Sequence, residues 1–405
     1  MKIKYLLFIL FVIIISCKEN EQIEIQQKKE SEIVKSDTLQ KVVEPEKVEK
    51  TLQLSKQDLL RKREYDKFTK GIYLTAYTIN TQKFYTLLDS AEAAGMNALI
   101  FDLKNMNGHI FSRMPQNGFL ISENMKPIID ITKVVNAAHE RDMRAVARVV
   151  MFHDQLTAQR DSLMRPENSG GGYWLESKRK KAQWLDSSNP EVQNTLLAII
   201  EEIAKRGVDE IQMDYVRFPT QGKQSEIVFA FQKEDSLLCQ QDSTYISRQK
   251  SDVIQNFVSR AKKICKRYNV TLTADVFAIV SWQRTADIKA TGQDIGKMSS
   301  YLDAIHPMIY SSHFSKDFGY REDLPNEPYF IVYKGSALSK KYADSECRVI
   351  PYIQSNSWKV NYGYDYLAGQ IQAVIDSGSD GYILWNASNR YYQTLRWIRD
   401  FDNID

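Results

Sequence analysis

The chain has 405 residues, 43% of them hydrophobic and 26% charged, which is ordinary globular usage and enough to bury one large core or two smaller ones. Its 54 basic and 51 acidic residues leave a formal charge of only +3, which excludes a broad basic face for nucleic acid or another polyanion. Four cysteines with no CxxC spacing exclude a dense disulfide framework and give no zinc-ligand pattern.

The chain begins with lysines at positions 2 and 4, then runs through unbroken apolar residues from Leu6 to Ile15. A basic start followed by an apolar run too short to cross a bilayer is the pattern of a signal peptide. The run closes on Ile14-Ile15-Ser16-Cys17, which resembles a bacterial lipobox. We therefore read residues 1–17 as a lipoprotein signal with Cys17 as the lipidated residue, placing the protein outside the cytoplasm on a membrane, at the outer membrane or the periplasmic face. Residues 18–66 are dominated by Glu, Lys, Gln and Ser, too polar to close a core, and read as a disordered tether. Of the remaining cysteines, Cys239, Cys265 and Cys347, at most two can pair, and reduced thiols are expected.

From residue 67 onward, apolar β-rich runs alternate with helical patterns. The runs are Gly71–Tyr77, Ala98–Lys104, Arg144–Val150, Glu210–Tyr215, Thr271–Phe277, Ala304–Tyr310, Arg348–Gln354 and Gly381–Asn386, eight in all. Helices are predicted at Thr81–Ala94, Ile128–Arg141, Pro190–Lys205, Asp252–Tyr268 and Tyr364–Ser377. The third carries a capping Asn189 before Pro190, and Gly95 and Gly207 close the first and the third. Eight strand–helix repeats predict an α/β fold, a (β/α)8 TIM barrel over 67–405, because parallel neighbours need a crossover and the crossovers cover the outside. A doubly wound open sheet is the structural rival, but it requires a Gly-rich phosphate turn after an early strand, and Gly170-Gly171-Gly172 opens no helix. Two connections, Phe152–Asn189 and Pro219–Ser247, are long and follow strands three and four, on the face where barrels keep their sites.

Side chains alternate along a barrel strand between the helix layer and the interior. In strand four Ile211 and Met213 share the outer face while Gln212 and Asp214 share the inner one. In strand five Leu272, Ala274 and Val276 face the helices and Thr271, Thr273 and Asp275 face in. Asp214 and Asp275 therefore end neighbouring strands, about 4.8 Å apart across the ladder. That spacing suits a pair of carboxyl groups in which one donates a proton to a leaving oxygen and the other faces an oxocarbenium-like centre. The alternative for each is structural: Asp214 paired with Arg217, Asp275 capping a loop. Asp102, Lys104, Arg148, Tyr215, Arg217, His306, Tyr310, Trp385 and Asn386 surround the pair as candidate substrate-binding residues, with Arg148, Lys104 and Asp102 alternatively forming a salt-linked plug. Aromatic faces for sugar stacking are offered by Tyr73, Tyr77, Tyr173, Trp174, Trp184, Tyr215, Trp282, Tyr310 and Trp385. Five scattered histidines without an HxxxH or HExxH pair predict no metal, and no other cofactor is expected; a GxSxG elbow is absent.

Several of these segments, Gly71–Tyr77, Asn97–Lys104, Arg148–Asp154, Trp184–Val192, Asp209–Pro219, Ala274–Phe277, His306–Phe314 and Asp380–Asn389, together resemble a family of glycoside-hydrolase-like domains long catalogued as of unknown function and similar to the alpha-amylase clan. The resemblance covers Gly71 to the C-terminus and implies a TIM barrel acting on a polysaccharide, with the nucleophile on strand four at Asp214 and the acid on strand five at Asp275. Two features depart from the clan. It carries an arginine two residues before the nucleophile, where this chain has Gln212, and its strand-five acid is glutamate. Its third carboxylate, on strand seven, has no counterpart near Gln354. The expectation is a monomeric glycoside hydrolase on a cell-envelope or environmental polysaccharide, with a non-catalytic glycan-binding lipoprotein and an envelope scaffold as alternatives.

Overall fold

The computed structural model describes residues 67–177 and 181–402. Cys17, the signal segment and the tether lie outside the described residues.

Continuous apolar runs make strands that are buried on both faces, as a parallel sheet wrapped by helices requires. The strands are β1 (Thr69–Leu74), β2 (Ala98–Lys104), β3 (Arg144–Val150), β4 (Glu210–Asp214), β5 (Thr271–Val276), β6 (Ala304–Pro307), β7 (Arg348–Val349 and Tyr352–Gln354) and β8 (Gly381–Trp385). Each is followed by a helix: α1 (Lys83–Glu92), α2 (Ile131–His139), α3 (Pro190–Ala204), α4 (Lys250–Arg267), α5 (Ile295–Ser299), α6 (Pro328–Tyr342), α7 (Tyr364–Asp376) and α8 (Tyr392–Asp402). All pairings between these strands are parallel. This is the (β/α)8 barrel expected from the eight repeats.

The seam of the barrel explains why β7 is split. Its first half pairs with β6 through Ala304 and Ile305, and its second half pairs with β8 through Ile383 to Trp385. Between them stands Pro351, whose carbonyl accepts from the Ile383 amide at 2.9 Å while its nitrogen has no proton to give. β8 in turn pairs with β1, Gly381 opposite Thr69 and Leu384 opposite Ile72, so the last strand closes the ring on the first. At Gly381 (φ 142°) an added Cβ would stand 2.2 Å from the Thr69 carbonyl oxygen, so this approach requires glycine.

The expected phase holds. Ile211, Met213, Leu272, Ala274 and Val276 pack into the large apolar layer between strands and helices. Tyr73, Ile100, Val146, Tyr310, Tyr352 and Ile383 form a separate cluster with other strand residues. Asn189 caps α3 by accepting from the Glu191 and Val192 amides, and Gly95 and Gly207 take positive φ, as the sequence pattern required. The two long connections are tied to each other: Glu167–Asn168 and Ile227–Val228 form an antiparallel ladder, the Trp174 indole donates to the Lys223 carbonyl at 3.3 Å, and Asp186 accepts from the Ala230 amide at 2.8 Å. The second connection also contains a helix, Ala230–Gln241, that its polar sequence did not announce. Cys239, Cys265 and Cys347 are all unpaired.

Candidate active site

Strand alternation and register bring one layer of polar side chains to the upper interior. Asp102 of β2 stands opposite Arg148 of β3, and Arg148 stands opposite Gln212 of β4. Met213 pairs with Ala274, so Asp214 and Asp275, one residue further on, are lateral neighbours. Arg148 joins the carboxylates. Its guanidinium donates to Asp102 Oδ1 through Nη1 and to Asp214 Oδ2 through Nη2, and its Nε lies 3.7 Å from Asp275 Oδ2. Asp102 also accepts from the Tyr73 hydroxyl at 2.6 Å, and Asp214 Oδ1 accepts from the Tyr215 amide at 2.6 Å. Tyr215 adopts a left-handed backbone (φ 50°), uncommon outside glycine and often associated with functional turns.

Asp275 is held differently. Its Oδ1 accepts from Gln212 Nε2, whose other proton goes to the Tyr352 hydroxyl at 2.8 Å, whereas its Oδ2 has no hydrogen-bond partner among the described residues. Burial, reinforced by the charge of Asp214, pushes its carboxyl well above the ordinary range, against the opposing pull of Arg148 and Gln212. Burial also raises Asp102, despite Arg148 and the Tyr73 hydroxyl. Burial alone would lower Arg148, but Asp214 and Asp102 outweigh it and keep the guanidinium charged. Asp214 and Asp275 are 3% and 1% exposed; the Arg148 side chain, at 16%, is the group through which the layer meets solvent.

The family model described as "Putative glycosyl hydrolase domain" matches residues 71–391, most of the chain. The chain belongs to that family. Similar folds occur in the glycoside hydrolase domain of PgaB (BpsB) from Bordetella bronchiseptica (12% identity, 82% of this chain and 98% of that one, TM-score 0.58) and in β-galactosidase from Marinomonas ef1 (8%, 83% and 59%, 0.57). The catalytic domain of β-amylase from Paenibacillus polymyxa is also similar (10%, 80% and 94%, 0.53). At these identities the likeness is one of fold. No match was found among curated proteins.

Around the carboxylates of this glycosyl hydrolase domain stand two aromatic groups. On the β6–β8 side, Tyr310 packs on Trp385 (ring centroids 4.7 Å apart) and on His313 (5.2 Å), and His313 packs on Trp358 (4.8 Å), which is 49% exposed. The Tyr310 phenol is pushed well up by burial and by the charges of Asp275 and Asp214, so it stays a donor. On the β3–β5 side, Arg217 lies over the rings of Trp184 (4.8 Å), Phe277 (5.0 Å) and Tyr215 (5.2 Å). The structure thus gathers Asp214, Asp275, Asp102 and Arg148 in one layer, with Tyr215, Arg217, Tyr310 and Trp385 around it.

Three candidates are placed elsewhere. A register shift between Asp102 and Lys104 redirects Lys104, which is fully buried against Asp154 (2.9 Å) and the Val150 carbonyl (3.0 Å), apart from Arg148 and Asp102. His306 is turned inward: its Nδ1 bonds the Ile350 carbonyl at 3.0 Å, and its Nε2 lies 3.6 Å from Glu210, which accepts from Thr273. Asn386 braces the turn after β8, donating to the Ser355 and Arg390 carbonyls. Nor does Asp214 pair with Arg217; its ion partner is Arg148. Tyr73, Gln212 and Tyr352 complete the polar layer. The sequence places Gln212 inward and offers Tyr73 as a ring face; Tyr352 shares the inward phase, the one signal that would have found it, while Trp358, in a loop, had no such signal.

Proposed function

We propose that this domain hydrolyses O-glycosidic bonds of a cell-envelope or environmental polysaccharide, with Asp214 as nucleophile or charge stabiliser and Asp275 as general acid/base. Family membership supports the hydrolase class. The observation that carries the roles is the unlike setting of two lateral carboxyl groups. Asp275 is driven toward its protonated form and keeps one oxygen unbonded, as a proton donor needs. Asp214 accepts from a guanidinium and a backbone amide, donors that suit an anion. Side chains on adjacent strands, about 4.8 Å apart at the backbone, can bring two carboxyl groups into the roughly 5–9 Å range that glycosidases use. Arg148 bridges both groups, so substrate entry requires its guanidinium to turn aside.

The test is turnover on a polysaccharide panel by the wild type, Asp214→Asn and Asp275→Asn. Loss of cleavage in both with glycan retention intact is the expected result; cleavage that survives either change refutes these roles. A second reading, a glycan-binding lipoprotein without turnover, is favoured by the near-complete burial of both carboxylates. Retention with no cleavage of any member would select it. We further infer a membrane anchor through lipid on Cys17, tested by mass spectrometry of the N-terminal peptide and by release of Cys17→Ala into the soluble fraction.

A further inference from the structure

Arg217 sits at a position the hydrolytic chemistry does not use. Its guanidinium is boxed by Tyr215, which directly follows Asp214, by Phe277, two residues past Asp275, and by Trp184 from the long connection after β3. It therefore lies just beyond both carboxylates, at the rim of the same mouth. Three rings take water from its faces, and the whole residue is only 9% exposed. Among the described residues its one side-chain hydrogen bond runs from Nη1 to the Phe218 carbonyl at 3.0 Å. No carboxylate among them lies within ion-pair distance: Asp214 and Glu176 act on it only at longer range, and Asp214 is taken by Arg148 and the Tyr215 amide. Beside it the Trp184 indole N–H is enclosed without an acceptor among the described residues. Phe277, one wall of the box, is 38% exposed.

A nearly buried guanidinium with no carboxylate in contact, beside an enclosed indole N–H without an acceptor, is a costly arrangement unless something arrives to meet it. A planar fork with dry faces and free N–H edges fits a planar or tetrahedral oxyanion far better than an isolated hydroxyl. We propose that Arg217 is an anion-recognition subsite and that the polysaccharide is acidic, presenting a sugar carboxylate or sulfate ester to it. This rests on the reading of the barrel mouth as a glycan site, names the class of glycan, and differs from the expectation drawn from the low net charge in that one enclosed guanidinium, not a broad basic face, recognises the anion.

The test measures retention of the purified protein on oligogalacturonate, oligomannuronate and glucuronate-bearing xylan, each as free acid and as methyl ester, and on sulfated carrageenan beside neutral agarose. Esterification removes the charge and keeps the sugar. At least a roughly tenfold preference for an acid over its own ester is expected, matching one charge-assisted contact. That preference should vanish in Arg217→Gln and return in part in Arg217→Lys. Preference for carrageenan over agarose without any for the uronates would assign a sulfate. Should Arg217→Gln fail to fold by its melting curve, the wild-type acid–ester comparison and Arg217→Lys decide. Equal retention of acids and esters together with equal retention of carrageenan and agarose, better retention of neutral glycans, no retention of any anionic glycan, or a folded Arg217→Gln that keeps the preference each overturns the proposal. The two readings fail separately: cleavage of a neutral glycan lost in Asp214→Asn would keep the hydrolase and remove the anion site, while Arg217-dependent retention of acids without cleavage would do the reverse.

Discussion

Replacing Arg148 with methionine removes the one cation that serves Asp102, Asp214 and Asp275 while keeping a side chain of similar length. Breaking a buried ion pair by deleting one partner costs about 3–5 kcal/mol, because the other charge is left uncompensated. A barrel of this size gains roughly 0.7 kcal/mol/K of entropy at its midpoint, so ~4 kcal/mol corresponds to about 6 °C. The loss depends on pH in a definite direction. Burial already raises Asp102 and Asp275 against the pull of Arg148, and without the guanidinium both rise further, so the folded state binds more protons than the unfolded one and stability falls as pH rises from about 4 through the raised values. Denaturant titrations of Arg148→Met and wild type at pH 4.5 and 7.5 should therefore show a deficit near 4 kcal/mol at the higher pH that shrinks at the lower. A deficit under about 1 kcal/mol at neutral pH, or one that grows on acidification, refutes the account of Arg148 as the charge partner of this layer.

Asp275→Asn should leave stability at neutral pH unchanged or slightly higher by thermal melting, since a carboxyl held above its usual range is already a burden to the folded state there. In the wild type the alkaline limb of kcat/KM should sit above the ordinary carboxylate range, and a limb within that range would remove Asp275 as the acid. Trp358→Ala should weaken glycan retention by roughly 2–12-fold with the melting temperature unaltered, the value of one aromatic contact on an exposed ring. Gly381→Ala should abolish soluble expression or lower the melting temperature sharply, because its methyl group meets the Thr69 backbone; wild-type behaviour would show that the seam is looser than described.

The barrel was legible because its strands are buried on both faces and announce themselves as apolar runs, and because Asn189 and the glycines at 95 and 207 punctuate the helices chemically. The inward phase of Asp214 and Asp275 was legible for the same reason: alternation is a local property. What alternation does not carry is lateral contact. Arg148 chooses Asp214 over a solvent path, and Arg217 lies among rings from three strand exits, through register and loop course that no single segment encodes. Lys104 and Asn386 show the converse: a bulge and a turn redirect side chains whose sequence position alone aimed them at the mouth. His306 lies inside as its phase required, but its depth is set by the Glu210 and Ile350 groups it meets.

The pairing of β8 with β1 imposes an order on biosynthesis. Until residues near 385 leave the ribosome, β1 and the second half of β7 each present a bare row of backbone donors and acceptors, the kind of edge that neighbouring chains readily join. A product truncated ahead of Gly381 would carry nearly all of the apolar interior and none of the strand that fastens it, so shortened chains should aggregate instead of accumulating as smaller folded species. Quality control of this protein is thus written into its last strand.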